Sequence, residues 1–172
     1  MERLIIPRLW SPTEGRAQLI AEDGVTVLWE DPDWVPNGLA DEGEENILND
    51  WLREQAALSK YLACLNDATI AETDTMATMV ESKAPGADGY NRQQILAADW
   101  GVPALDVGDM QSSAAEKTFG PISGTSATVT HVALVTALTG TTGKFLLFVA
   151  LSATTTVAVG QSLKYTLRAK VQ

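Results

Sequence analysis

The segment near the C-terminus has the pattern that most limits the fold of this chain. From residue 162 to residue 171, apolar residues alternate with polar or basic ones. The apolar positions are Leu163, Tyr165, Leu167, Ala169 and Val171, and the others are Ser162, Lys164, Thr166, Arg168 and Lys170. Because successive side chains of a strand point to opposite faces, this segment predicts a β-strand with one apolar face and one basic face.

The distribution of charge divides the chain into two unlike parts. Residues 125–172 contain no aspartate or glutamate and four basic residues, so their net charge is +4. Residues 1–124 contain all 22 acidic residues and the other eight basic ones, which is a net charge of −14. We expect the acidic part of one subunit to dock near the basic strand face of another. The overall charge of −10 argues against broad nucleic-acid binding.

Other segments predict further strands that are separated by short turns. Residues 128–136 and 144–151 flank a turn rich in glycine and threonine. Residues 145–151 are apolar on both faces, which is typical of a central strand covered on both sides. Further strands are predicted at residues 17–29 (two, around a turn), 60–65, 90–100, 111–119 and 154–159. Since the connections are too short for parallel crossovers, the predicted fold class is mainly β, an antiparallel β-sandwich.

One amphipathic helix is predicted ahead of most of these strands. Apolar residues within positions 47–52 fall on one helical face, and acidic residues crowd the start of the segment, where the helix dipole favours them. We therefore predict a domain at residues 41–172 that consists of this helix and the sandwich. The apolar faces of residues 145–151 and 163–171 would form its core, beneath the helix.

Residues 1–40 differ from the rest of the chain in their high content of tryptophan and proline. They hold Trp10, Trp29 and Trp34, three of the five tryptophans, and four of the seven prolines. No periodic pattern indicates a separate core in this segment. We predict an extended N-terminal docking arm whose three tryptophans anchor it on an adjacent subunit or on another protein of the same assembly. The alternative is that these tryptophans pack on their own domain.

Residues with catalytic or metal-binding chemistry are few. His131 is the only histidine and Cys64 the only cysteine, so the chain lacks the ligands of a zinc site. Residues 140–144 resemble a phosphate-binding loop only weakly, because two residues rather than four separate the glycines. No apolar run is long enough for a membrane span. We predict a chain that is not an enzyme and has no cofactor, metal or membrane partner.

A series of short motifs runs in order from residue 45 to the C-terminus. The most specific is Val-Thr-His-Val-Ala-Leu at residues 129–134, which precedes a glycine turn and an apolar strand. A helical motif at residues 46–52, the Gly-Tyr-Asn-Arg sequence at residues 89–92 and a strand-turn motif at residues 156–163 accompany it. Together these motifs resemble a family of small tailed-bacteriophage proteins that is often called tail-fibre-like.

The resemblance implies a non-enzymatic structural component of a tailed-bacteriophage virion, made in the host cytoplasm. As such, it would form homo-oligomers and dock with other virion proteins, as a collar, fibre, adaptor or tail-associated protein. Capsid decoration is an alternative. A carbohydrate-binding β-sandwich that takes a host glycan, in receptor binding or as a lectin, is a second function class that the residues leave open. The residues expected at interfaces are Trp10, Trp29, Trp34, Lys164, Arg168 and Lys170.

Overall fold

The protein is an antiparallel β-structure in the residues that the computed structural model describes, which are 14–43, 45, 58–106 and 109–171. Its strands in chain order are β1 (Glu14–Ile20), β2 (Val27–Glu30), β3 (Val35–Leu39), β4 (Lys60–Leu65), β5 (Gln93–Ile95), β6 (Ala104–Asp106), β7 (Asp109–Ser113), β8 (Lys117–Phe119), β9 (Ala127–Val135), β10 (Phe145–Val157) and β11 (Ser162–Val171). A 3-10 helix, Ala97–Asp99, follows β5, and residues 41–43 and 45 are helical.

The strands form two sheets, which we call the front sheet and the back sheet. In the front sheet, β1 and β11 pair along their length, and β2 pairs with the other side of β1. β7 and β8 both pair with β11, and β6 pairs with β7. The back sheet has the order β5-β4-β9-β10-β3. These two antiparallel sheets confirm the predicted fold class, a mainly β sandwich.

The two sheets are joined by β3 and by a buried aspartate. Residues 35–36 of β3 pair with β1 in the front sheet, whereas residues 37–39 pair with β10 in the back sheet. The Asp31 carboxylate accepts hydrogen bonds of 2.8 Å from the backbone N–H of Ala17 in β1 and from that of Ser152 in β10. Because these bonds satisfy a carboxylate that is only 1% exposed, Asp31 links the sheets without an unpaired polar group.

The core lies between the sheets and is built from the alternating residues of their central strands. The buried residues on β10 and β11 include Leu147, Val149, Leu151, Leu163, Tyr165 and Leu167. The predicted core at residues 145–151 and 163–171 is confirmed for these positions. The helix predicted at residues 47–52 lies outside the described residues.

The outer face of the back sheet carries a second apolar cluster. Its strand residues are Ala63, Leu65, Ala133, Val135 and Phe145. The irregular segment at residues 66–83 covers them through Met76, which is 0% exposed, and through the partly buried Ile70 and Met79. The prediction that residues 145–151 form a central strand covered on both sides is therefore confirmed.

One long strand replaces two of the predicted ones. β10 continues to Val157, although separate strands were expected at residues 144–151 and 154–159. The residues between those two segments have no turn chemistry, and a bulge accommodates the irregularity. Ala150 pairs with His131 and Thr155 with Val129, so β10 has extra residues relative to β9 at this point.

Two other strand predictions are wrong in their extent. The strand expected at residues 90–100 is reduced to β5, because the Asp99 carboxylate accepts a 2.6 Å hydrogen bond from the Leu96 N–H and starts the 3-10 helix. The strand expected at residues 111–119 divides into β7 and β8, and β6 pairs with the free side of β7.

The N-terminal segment also differs from its prediction. Residues 1–13 lie outside the described residues. Residues 14–39 form β1, β2 and β3, which pair within the same chain, so the expectation of an arm apart from the sandwich is wrong for this part. The two short strands expected at residues 17–29 are confirmed as β1 and β2, although β1 begins before that range, at Glu14, and β2 ends just after it, at Glu30. The physical reason is that Ala17 and Leu19 alternate with Arg16 and Gln18, which gives β1 an apolar face for the core.

Candidate interaction surfaces

The tryptophans expected at interfaces lie in different environments. Trp10 lies outside the described residues. Trp29, in β2 opposite Leu19, is partly buried and packs on the core of its own chain. Trp34 is partly exposed just before β3, and the Arg168 guanidinium carbon lies 4.0 Å from the centroid of its ring. Trp29 thus packs on its own domain, which was the alternative to docking. Trp34 instead lies beside the polar face of β11.

The predicted basic face of β11 is present, but the charges of Lys164 and Arg168 are paired within the chain. The Lys164 ammonium lies 3.0 Å from the Glu116 carboxylate. The Arg168 guanidinium donates two hydrogen bonds to the Glu14 carboxylate in β1. Acidic residues from the N-terminal part of the chain therefore meet these bases inside one subunit, which leaves less charge for an acidic neighbour.

Lys170 is the remaining interface candidate. Its backbone pairs with Gln111 of β7, and its side chain is outside what the structure describes. The structure thus brings Trp34, Lys164 and Arg168 to one face of the front sheet, and it places Trp29 elsewhere.

A groove lies on this outer face of the front sheet. Its volume is about 150 Å³, and its floor is formed by Arg16 and Gln18 of β1 and by Lys164 and Thr166 of β11. The remaining lining residues are Glu30, Trp34 and Glu116. Sequence reasoning singled out Trp34 and Lys164 but missed the other lining residues. The alternation of Arg16 and Gln18 with buried residues in β1 was the signal that could have found those two.

Exposed apolar side chains lie on and beside β6, the outer strand of the front sheet. We call the surface formed by Val102, Leu105 and Met110 the β6 edge. Val102 is 91% exposed, Leu105 70% and Met110 44%. Apolar residues at a strand edge with no further strand beside it among the described residues are typical of a surface that pairs with another segment.

A buried ion pair between Arg92 and Glu81 lies beside β5, the outer strand of the back sheet. The sequence patterns did not indicate this pair. Arg92, which is 4% exposed, donates from Nε and Nη2 to the Glu81 carboxylate at 3.0 Å and 2.8 Å. The Tyr90 hydroxyl donates to the same carboxylate at 2.6 Å and accepts a hydrogen bond from the Cys64 N–H in β4. Burial raises the pKa of Tyr90, and the neighbouring Cys64 and Glu81 raise it further. Tyr90 and Arg92 belong to the Gly-Tyr-Asn-Arg motif of the sequence, so their role is to hold the sheet edge.

The two side chains with the strongest nucleophilic or basic chemistry are packed into the fold. The Cys64 thiol is buried, and burial, with the Glu81 charge as a further cause, raises its pKa well above the usual range. His131 is partly buried with its ring edge-on to Phe148 at a centroid distance of 6.2 Å, and desolvation lowers its pKa. Both groups are therefore held in their neutral forms near pH 7.

Two further properties concern the described part of the chain alone. Within it, no three His, Cys, Asp or Glu residues converge as ligands of a metal ion. None of the helices found there has the length and apolar character needed to cross a bilayer.

Comparison with known proteins connects this fold to a family. The family model described as "Podophage GP4 fiber I protein gp80" matches residues 38–169, which is well over half of the chain. The matched range begins within β3 and contains β4 to β10 and most of β11. No curated protein matches the chain.

Proposed function

The chain belongs to the family of the Podophage GP4 fiber I protein gp80 and is thus a structural protein of a phage virion, and we propose that it is a non-enzymatic fibre subunit that docks with copies of itself. The observation that carries this proposal is the family match over residues 38–169. The buried thiol of Cys64 and the packed ring of His131 support a non-enzymatic role, because neither is positioned as a reacting group.

The β6 edge is the surface that best fits docking between copies. Leu105 and Val102 are the most exposed large apolar residues beside this strand, and burying each would stabilise a contact by about 1.5–3 kcal/mol. The paired bases of the β11 face are less suitable, because exposed ion pairs contribute only about 0–1 kcal/mol each. We therefore place the contact between subunits at the β6 edge.

The proposed occupant of the β6 edge is residues 1–13 of a neighbouring copy. This segment contains Leu4, Ile5, Ile6, Leu9 and Trp10, and its two arginines and one glutamate give it a net charge of +1. The rest of the chain then has a charge of −11, which favours the approach of the segment. A segment of thirteen residues can reach at most about 43–47 Å from Glu14.

Deletion of residues 1–13 tests this proposal. We expect the shortened chain to keep its circular dichroism spectrum, to have the mass of a single chain by light scattering, and to fail to enter virions that lack the full-length protein. Leu105→Ser in the full chain would have the same effect on assembly, whereas the matched change Val159→Ser, at another exposed apolar residue, would not. A truncated chain that unfolds, or one that still assembles, would contradict docking by this segment.

The position in the particle is a separate part of the proposal. We place the subunit in the fibre or at the collar where fibres attach, in keeping with the description of the family. A cryo-electron microscopy reconstruction of the particle would locate the sandwich there. Density for the sandwich on the capsid surface would instead support the decoration alternative.

A further inference from the structure

The groove on the outer face of the front sheet has a balanced charge. Arg16 pairs with Glu30 at 2.5 Å, and Lys164 pairs with Glu116 at 3.0 Å, so the four charged groups of the lining sum to zero. A charged ligand would have to compete with one of these pairs. A neutral ligand with hydroxyl groups would not, because each hydroxyl both donates and accepts hydrogen bonds and can bridge groups of either sign.

Two polar groups of the lining are free to bind a ligand. The Thr166 hydroxyl and the Trp34 indole N–H make no hydrogen bond within the described part of the chain. Thr166 lies on the floor of the groove, directly opposite Arg16 in the pairing of β1 with β11. The groove therefore offers an unused hydroxyl and an unused N–H beside ionic groups that are already paired.

An aromatic ring is held at the side of the groove. The Arg168 guanidinium stacks over Trp34 at 4.0 Å from the ring centroid, and the Glu14 carboxylate holds that guanidinium in turn. This arrangement limits the freedom of the indole before any ligand binds, which lowers the entropy cost of binding. A fixed indole is a suitable surface for the C–H groups on one face of a sugar ring, which are apolar.

We propose that this groove binds one pyranose ring of a neutral saccharide. The volume of about 150 Å³ matches a single sugar ring and is too small for a folded peptide segment. In the bound state the Trp34 ring packs on the sugar, and the Thr166 hydroxyl exchanges hydrogen bonds with its hydroxyls. The amide N–H of Gln18 keeps its 2.9 Å hydrogen bond to Glu30, its carbonyl oxygen accepts from the sugar, and the two ion pairs remain intact. This site would give the chain the carbohydrate-binding role that the sequence leaves open, and it does not depend on docking at the β6 edge.

The test measures saccharide binding by the full-length chain. An array of neutral and acidic oligosaccharides identifies the bound sugars, and saturation-transfer NMR with the corresponding methyl glycosides gives their affinities. We expect neutral hexose-containing sugars to bind, and we expect Thr166→Val to weaken binding about tenfold, the effect of losing one hydrogen bond. Trp34→Ala is expected to weaken it further.

The matched control is Thr118→Val. Thr118 is an exposed threonine of β8 that lies opposite Lys164 of β11 but does not line the groove. Its replacement is therefore expected to leave saccharide binding unchanged. The proposal is overturned if no saccharide binds, if Thr166→Val and Trp34→Ala both bind as tightly as the unmodified chain, or if acidic sugars bind best. Incorporation of Thr166→Val into virions is scored separately, so failure of this site is distinguishable from failure of the proposed function.

Discussion

The front and back sheets have the same antiparallel construction but very different outer faces. The outer face of the back sheet is covered by residues 66–83. Met76 of this segment packs in the cluster that contains Phe145, and both side chains are completely buried. The outer face of the front sheet carries partly exposed ion pairs and a groove in the described part of the chain. A sheet whose two faces are both apolar holds the structure together, whereas a sheet with one polar face can present side chains to a ligand or partner.

The same difference is visible in two arginine–glutamate pairs. In the back sheet, the side chains of Arg92 and Glu81 are 1% and 12% exposed. In the front sheet, those of Arg16 and Glu30 are 39% and 35% exposed. Because removing one partner from a buried pair leaves the other charge without solvent or counter-charge, the two pairs should differ greatly in their contribution to stability.

The largest expected effect comes from Arg92→Met. Loss of this guanidinium leaves the Glu81 carboxylate unpaired and removes the donors of the Ala137 and Gly140 carbonyl groups. We expect the free energy of unfolding to fall by about 3–5 kcal/mol. The matched change Arg16→Met is expected to cost about 0–1 kcal/mol. Urea unfolding of both variants measures the difference, and equal losses would show that the two sheets do not differ in this respect.

Phe145→Ala compares the outer faces themselves. Phe145 is 0% exposed in the cluster outside the back sheet, and truncating a buried phenylalanine costs about 3–5 kcal/mol. Thr166→Ala, on the outer face of the front sheet, is expected to change stability by only about 0.5 kcal/mol. Thermal melting of the two variants checks this, and a small effect of Phe145→Ala would mean that the segment at residues 66–83 contributes little.

Leu147→Ala and Leu167→Ala ask whether the sheets share one core. Leu147 belongs to β10 and Leu167 to β11, and both side chains are buried in the cluster between the sheets. We expect each variant to lose about 2–5 kcal/mol, with a single cooperative transition. Separate unfolding transitions for the two sheets in either variant would contradict a shared core.

The smallest expected effect is that of two partly buried carboxylates, Asp88 and Asp99. The hydrogen bond with Lys83, followed by those with Thr125, lowers the pKa of Asp88 to about 2. The hydrogen bond with Lys117, followed by that with the Leu96 N–H, lowers the pKa of Asp99. A lowered folded-state pKa means that the stabilisation is present above the usual carboxyl pKa of 3.8 and is lost as the pH falls toward 2.

Asp88→Asn and Asp99→Asn are therefore expected to remove part of the pH dependence of stability between about pH 4 and pH 2. Asparagine also tolerates the positive φ of 51° at residue 88, so the backbone is not strained by the replacement. Melting temperatures across this range measure the effect. A pH dependence identical to that of the unmodified chain in both variants would show that these bonds do not act in solution.

Most of the strands were predictable from local patterns, and so was the apolar core of β10 and β11. The patterns failed where a contact distant in sequence decided the outcome. The segment at residues 66–83 has no clear period, yet it covers the back sheet because Met76 fits the cluster around Phe145. The tryptophans and prolines of residues 14–39 indicate an arm, but the alternation in β1 gives this segment an apolar face that joins the core.

The candidate groove was predictable only in part. Trp34 and Lys164 were identified as candidates, but as docking residues for a neighbouring subunit. Glu30 and Glu116 come from strand ends and connections that carry no distinctive pattern. Their position beside Arg16 and Lys164 depends on how β1, β2, β8 and β11 are aligned.

The sequence by itself determined which side chains of β11 face the core and which face outward, because the two-residue period of a strand is a local property. It also determined that the outward side would be basic. Only the tertiary structure decided whether those charges would be free. The pairing of β1 with β11 places Glu14 opposite Arg168, 154 residues away in the chain, so the charge of Arg168 is compensated within the subunit. No local pattern contains that register, since it is set by the packing of both strands against a common core.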